Sequence, residues 1–210
     1  AEEASDLAAI SYSLGDIQFL RGMIPHHAQA KEMSALAEDR TNNTTVLAVA
    51  ARITLSQDDE ISMMQGWLRD QGLEAPDQDV HHQPGFERMK GMLSDEQMEE
   101  LAASTGPEFN RLYLEYMIDH HQGALDMVEM LLDQRGSVQD PLLYEFTSDV
   151  TSDQTSEIER MDLLLASLNP DPRVGLAAGF RDAGEAALNM QIVASLPKPA
   201  GFFDPERPSG

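Results

Sequence analysis

Two nearly identical pentapeptides, MIPHH at Met23–His27 and MIDHH at Met117–His121, hold four of the chain's six histidines. In each, one methionine stands a turn before an adjacent histidine pair, and a second follows it, as Met33 and Met127. At about 100° per residue, Met23, His26, His27, Ala30 and Met33 occupy roughly a third of a helix circumference, as do Met117, His120, His121, Ala124 and Met127. Soft thioether and borderline imidazole on one stripe suit copper, with the cuprous ion favoured as methionine content rises, whereas calcium and magnesium require oxygen ligands. The small alanine leaves room for a ligand or a close helix. Neighbouring residues point about 100° apart, so one histidine of a pair can coordinate while the other faces solvent or caps the site. Core packing explains a lone methionine stripe, and a carboxylate or carbonyl satisfies a lone histidine. The whole arrangement written twice favours metal.

Other residues offer support around these eight candidate ligands. Glu60 and Glu157 can accept the second N–H of a ligating imidazole or stand as surface charges. Met64 and Met161, four residues on, lie on the same helix face and either complete a soft site or fill the core. His81 and His82, with Met89 and Met92, repeat the ligand types in a loop that can capture a metal transiently or simply be solvated. The absence of cysteine excludes disulfides, thiolate sites and thiol catalysis. No phosphate-cradling glycine loop, serine nucleophile elbow or HExxH helix is present. A di-iron bundle needs Glu three residues before His, but Met23 and Met117 precede His26 and His120, and Ile24 and Ile118 precede His27 and His121.

These residues must be positioned by helices. Phe19–Met33 aligns on Tyr113–Met127, and Ile53–Leu68 on Val150–Leu165, keeping Gln57 with Gln154 and Glu60 with Glu157. Apolar residues recur three and four apart in each segment, as at Leu125, Val128, Leu131 and Leu132, without period-two alternation. The expectation is an all-α, four-helix bundle built from two repeated helical hairpins, because one hairpin cannot bury its own apolar stripe. Breaks fall at Thr41–Thr45 and Gln134–Pro141, and a capping box at Ser94–Gln97 opens a short extra helix before one beginning near Thr105-Gly-Pro107. Pro25 predicts a kink or restart just before His26. The segment containing His81–His82 reads as a long crossing loop, and residues 169–210 as an irregular extension or linker beyond a domain spanning 5–168.

Fourteen basic residues against thirty-seven acidic ones give a net charge of −23, which disfavours nucleic acid and anionic lipid and favours cations. No apolar run reaches the ~18 residues of a membrane helix, and the start lacks the features of a secretory signal, as a mature end after its removal would.

The stretches FLRGMIPHHAQAKEM, QDDEISMMQGWL, GMLSDEQMEELAASTGPEFNRLYLEYMIDHHQGALDM and DQTSEIERM resemble the bacterial family grouped as domain of unknown function 305. The resemblance covers most of residues 15–165. It implies a ferritin-like, exported helical protein, in some members copper-binding for tolerance or delivery, and carries Met23, His26, His27, Met33, Met117, His120, His121 and Met127 over as ligands. Asp119 stands where the first copy has Pro25, so the two halves can differ in geometry and charge. The leading expectation is a secreted, periplasmic or cell-envelope copper-binding protein, non-catalytic, whose partner is a metal ion and whose tail leads to a membrane-anchored or fused domain. A structural or interaction domain with a buried histidine network, and a metal-dependent oxidase, are the alternatives.

Overall fold

The computed structural model describes residues 12–168; the expectations for residues 169–210 and for the first residues of the domain lie outside them. It comprises α1 (Leu14–Ala35), the one-turn α2 (Ala37–Arg40), α3 (Thr44–Asp70), α4 (Asp95–Ala103), α5 (Gly106–Leu132) and α6 (Pro141–Leu168), with a 3-10 turn at Gln78–His82 in the crossover. No strand occurs among the described residues. The four long helices make the ferritin-like bundle.

Helix starts follow local side-chain chemistry. Ser13 and Asp16 form a reciprocal box at α1, the Asn43 carboxamide accepts from the Thr45 and Val46 amides at α3, and Ser94 with Gln97 caps α4 as expected. Thr105 precedes α5, whose first turn contains a proline.

Of the kink or restart expected at Pro25, the restart does not occur: α1 runs through it. Proline in a helix interior costs about 3 kcal/mol through its missing donor and ring clash. Here every residue from Gly22 to Ala30 is buried, so contacts on all sides hold the helical path. The apolar stripe of α5 is also narrower than its spacing suggests: Val128 and Leu131 are buried, but Leu132 is exposed.

Two apolar clusters define the topology. One joins Phe19, Leu20 and Met23 of α1 to Met64, Trp67 and Leu68 of α3, Val128 and Leu131 of α5, and Leu143 and Phe146 of α6. The other joins Ala30 and Met33 to Val46, Ala50 and Ile53, Phe109 to Met117, and Met161. The start of α1 thus lies beside the end of α3 and of α5, making both antiparallel to it, and α5 is antiparallel to α6. The middle of each helix falls between the clusters.

The crossover is fastened over that middle zone. Gln29 Nε2 donates to the Leu93 carbonyl at 3.1 Å, and the Leu93 amide returns a bond to Gln29 Oε1 at 2.8 Å, both buried. Close approach requires glycine on both sides. A Cβ on Gly123 would stand 2.1 Å from the Lys90 oxygen, and one on Gly91, whose φ is +83°, would stand 2.7 Å from the Asp119 oxygen.

Asp16 ties the start of α1 to the α5–α6 connection. Its carboxylate accepts from the Ser13 amide at 2.7 Å and from the amide of Val138, a residue at φ 53°, at 2.9 Å. The side chain is fully buried. Asp16→Ala would leave the Val138 amide without a partner, so a loss of about 3 kcal/mol is expected in urea unfolding, with Asp16→Asn retaining part of it.

Candidate metal centre

A polar layer occupies the zone between the apolar clusters. His26 and His27 come from the middle of α1, His120 and His121 from α5, Gln57 and Glu60 from α3, and Gln154 and Glu157 from α6. All four histidines are essentially inaccessible to solvent. Neither member of a pair faces water, which excludes one of the two roles expected for the second histidine.

The rings meet across the α1–α5 contact, where the His26 and His120 centroids lie 3.9 Å apart at 43°. His26 Nε2 bonds the Lys90 carbonyl at 3.1 Å. His121 Nε2 bonds Glu157 Oε2 at 2.9 Å. His27 Nε2 approaches Glu60 Oε2 to 2.5 Å, an ion-pair contact without aligned hydrogen-bond geometry. Glu60 and Glu157, aligned with each other in the sequence, therefore each meet the second histidine of the neighbouring helix.

What remains unpaired is regular. His26 Nδ1, His27 Nδ1, His120 Nε2 and His121 Nδ1 are buried without a protein hydrogen-bond partner, as are the side-chain oxygens of Gln57 and Gln154. Buried polar atoms are ordinarily paired. Each histidine thus presents at least one unsatisfied nitrogen inside the bundle, and His27, whose Nε2 meets Glu60 without aligned geometry, presents two.

Electrostatics keep the central pair uncharged. Burial, and then the neighbouring His27, lower His26 to about 3 despite the Lys90 carbonyl. Burial and the charges of His26 and the other histidines hold His120 well below its ordinary value. Neutral imidazoles keep the lone pairs that a metal needs. On the α3–α6 side, partial burial and the charges of Glu60 and Glu157 push the Asp153 carboxyl up.

Six methionines divide around this layer. Met23 and Met64 are buried in one apolar cluster, with the half-buried Met127 packed against it. Met33, Met117 and Met161 are buried in the other. Because α1 and α5 run oppositely, each side of the layer receives one methionine preceding a histidine pair, one following the other pair, and one from α3 or α6. Residues drawn from both sequence copies are therefore brought together, although no three of the four histidines form a compact trio of nitrogens.

A compact trio does occur at the crossover. Among the described histidines, aspartates and glutamates, Glu32, His81 and His82 are the group whose candidate ligand atoms all lie within 4.8 Å of one another. His81 Nε2 and His82 Nε2 reach the same Glu32 oxygen at 3.0 and 2.8 Å. Met92 lines the same depression, whereas Met89 packs toward Gly22.

Sequence reasoning missed Glu32 and the Lys90 carbonyl, and treated Gln57 and Gln154 only as aligned positions. Glu32 is one of many acidic residues, and nothing local distinguishes it. The glutamines carried a signal, since each precedes its layer glutamate by one turn in both copies.

Residues 16–165 match the family model Domain of unknown function (DUF305). The fold is similar to that of a DUF305 protein from Streptomyces coelicolor inferred to be secreted, at 30% identity over 76% of this chain and 96% of that one, with a TM-score of 0.64. A DUF305 fragment from Deinococcus radiodurans is 28% identical over 74% of this chain and 98% of that one, with a TM-score of 0.62. CopM in a Cu(II)-bound form has a TM-score of 0.60 at 22% identity, over 73% and 97% of the two chains. An uncharacterized protein of Acanthamoeba polyphaga mimivirus is 38% identical over 61 residues, 29% of this chain and 40% of that protein. The chain thus matches well under half the length of that relative.

Proposed function

The chain belongs to the DUF305 family, and on that premise we propose that it is an extracytoplasmic copper-binding protein that buffers the metal or passes it on without catalysing a reaction. One observation carries the reading: the four buried imidazoles each keep at least one nitrogen with no protein hydrogen-bond partner. A purely structural network would be expected to use both nitrogens of each ring. The residues that would hold copper are His26, His27, His120 and His121, with Met23, Met127 and Met64 on one side and Met33, Met117 and Met161 on the other. Thioether and imidazole supply donors for Cu(I) and still accept Cu(II). Glu60 and Glu157 orient His27 and His121 rather than bind the metal themselves.

Support comes also from CopM, solved in Cu(II)-, Cu(I)- and Ag-bound forms, and from the charge of −23, which concentrates cations. The inferred secretion of the Streptomyces relative supports an extracytoplasmic location. The layer's matched partners support two duplicated hairpins forming one domain over 5–168.

Copper at a hundredfold excess over its Kd is expected to stabilise the protein by about 2.7 kcal/mol, a rise in Tm of about 5–10 °C. Replacing Met23 and Met117 by Leu keeps the volume and should reduce the rise. Protein purified without chelator should contain copper, and His26, His27, His120 and His121 replaced together by Ala should lose the part of it held in the bundle. If neither Cu(I) nor Cu(II) moves Tm and the amount of copper retained is unchanged by the histidine replacements, the proposal fails. The bonds from His26, His27 and His121 to Lys90, Glu60 and Glu157 favour the structural-network reading as the second, and absence of copper would leave it standing.

A further inference from the structure

The crossover trio is separate from the polar layer, and its donors differ in kind. Glu32 sits near the end of α1, and His81 and His82 close the 3-10 turn Gln78–His82, which Asp77 caps by accepting from the Asp79 amide. His81 Nδ1–H donates to the Gln78 carbonyl at 2.8 Å. That bond assigns the proton of a neutral ring to Nδ1 and leaves the Nε2 lone pair aimed at Glu32, 3.0 Å away. The second imidazole presents its Nε2 to the same oxygen, and the two ring centroids are 4.1 Å apart. The His81 lone pair and the Glu32 carboxylate facing one another repel unless a positive charge stands between them.

The anchoring of His81 by a backbone carbonyl is the arrangement that orients metal-bound histidine. Its side chain is only 4% exposed, while His82 is 59% exposed. One ligand is therefore held in place, and the other leaves coordination positions open to water. Asp95 and Glu99 line the same depression, where Arg88 is paired with Asp95 and Glu99 adds a further carboxylate.

We propose that Glu32, His81 and His82 form a second, surface site for a divalent transition-metal ion, taking Cu(II) in preference to Zn(II). Two imidazoles and a carboxylate are a borderline-to-hard donor set that suits divalent ions, and at such N/O sites Cu(II) outranks Zn(II). The site stands independently of any copper in the bundle interior. It gives the chain a place for oxidised copper at the surface, beside a core whose thioethers favour the reduced ion.

Electron paramagnetic resonance on metal-free protein with one equivalent of Cu(II), paired with calorimetric titration of Cu(II) and Zn(II), tests it. The wild type should show superhyperfine coupling to two nitrogens, and Zn(II) should bind at least about tenfold more weakly. Glu32→Gln and the double variant H81A/H82A should each lose one equivalent of tightly held Cu(II) with circular dichroism unchanged; Glu32→Gln keeps the side-chain volume and is the reference where removing the buried His81 ring lowers the metal-free Tm. The pair M23L/M117L should keep the signal. An unchanged spectrum and stoichiometry in E32Q and H81A/H82A, loss of the signal in M23L/M117L, or no Cu(II) binding by the wild type would each overturn the assignment. In the last case a proton shared with Glu32 is the positive charge that holds the trio together.

Discussion

Taking the metal-free protein from pH 7 to pH 4 is expected to remove most of its stability. In the unfolded chain a histidine takes up its proton near its ordinary value of 6.5, whereas folded His26 resists until about 3. Between those values the unfolded state binds more protons, so stability rises with pH and is lost as pH falls through the window. His26 alone contributes a loss of about 3 kcal/mol by pH 4, and His120, depressed in the same direction, adds to it. Small domains have only about 5–15 kcal/mol in total. His81 runs the other way: burial opposes its charged form, but Glu32 outweighs burial and holds it above its ordinary value. Its partner Glu32 is about one-third exposed, so the effect is partly screened. Urea midpoints measured at half-unit steps of pH would read the slope. A midpoint that stays flat from pH 6.5 to 4, or a slope that persists undiminished in His26→Gln, would contradict a neutral buried pair.

Gly123→Ala is expected to detach the crossover from α5. The added Cβ would stand 2.1 Å from the Lys90 oxygen and 2.7 Å from the Gly91 Cα. Both obstacles are backbone atoms, which cannot rotate away as a long side chain can. Relief requires the segment around Lys90–Leu93 to lift, and lifting breaks the paired Gln29–Leu93 bonds and the bond from Lys90 to His26. A cost of about 3–5 kcal/mol follows, or roughly 10 °C in Tm. Hydrogen exchange at the Leu93 amide should accelerate more than exchange in α3. Gly66→Ala, where a Cβ meets nothing within 4 Å, is the control and should leave Tm unchanged or raised. Equal behaviour of the two variants would mean that the crossover yields without cost.

The long helices, their caps and the two histidine pairs were legible because each depends on spacing within one segment. Periodicity put Met23, His26, His27 and Met33 on one face, and the alignment of the copies singled out Glu60 and Glu157 before any contact was visible. No restart occurs at Pro25 because its local penalty is real but smaller than the packing of the continuously buried stretch around it. Glu32 was illegible for the opposite reason. Its partners lie about fifty residues away, and its type is among the commonest in so acidic a chain. The Lys90 carbonyl could not be found from side chains at all, since a backbone oxygen carries no residue signature.

The polar layer at mid-length also constrains how the helices assemble. Apolar residues above and below it are interchangeable enough that two helices could slide by one turn, about 5.4 Å, and still bury leucine against leucine. Such a slip would carry Glu157 away from His121 and into the company of methionine and isoleucine, stranding a charge in an apolar setting, where removing one partner of a buried pair costs about 3–5 kcal/mol. The same holds for His27 and Glu60 on the other hairpin. Groups suited to a metal therefore also act as a vernier, rejecting every alignment of the four helices except the one in which the marks coincide.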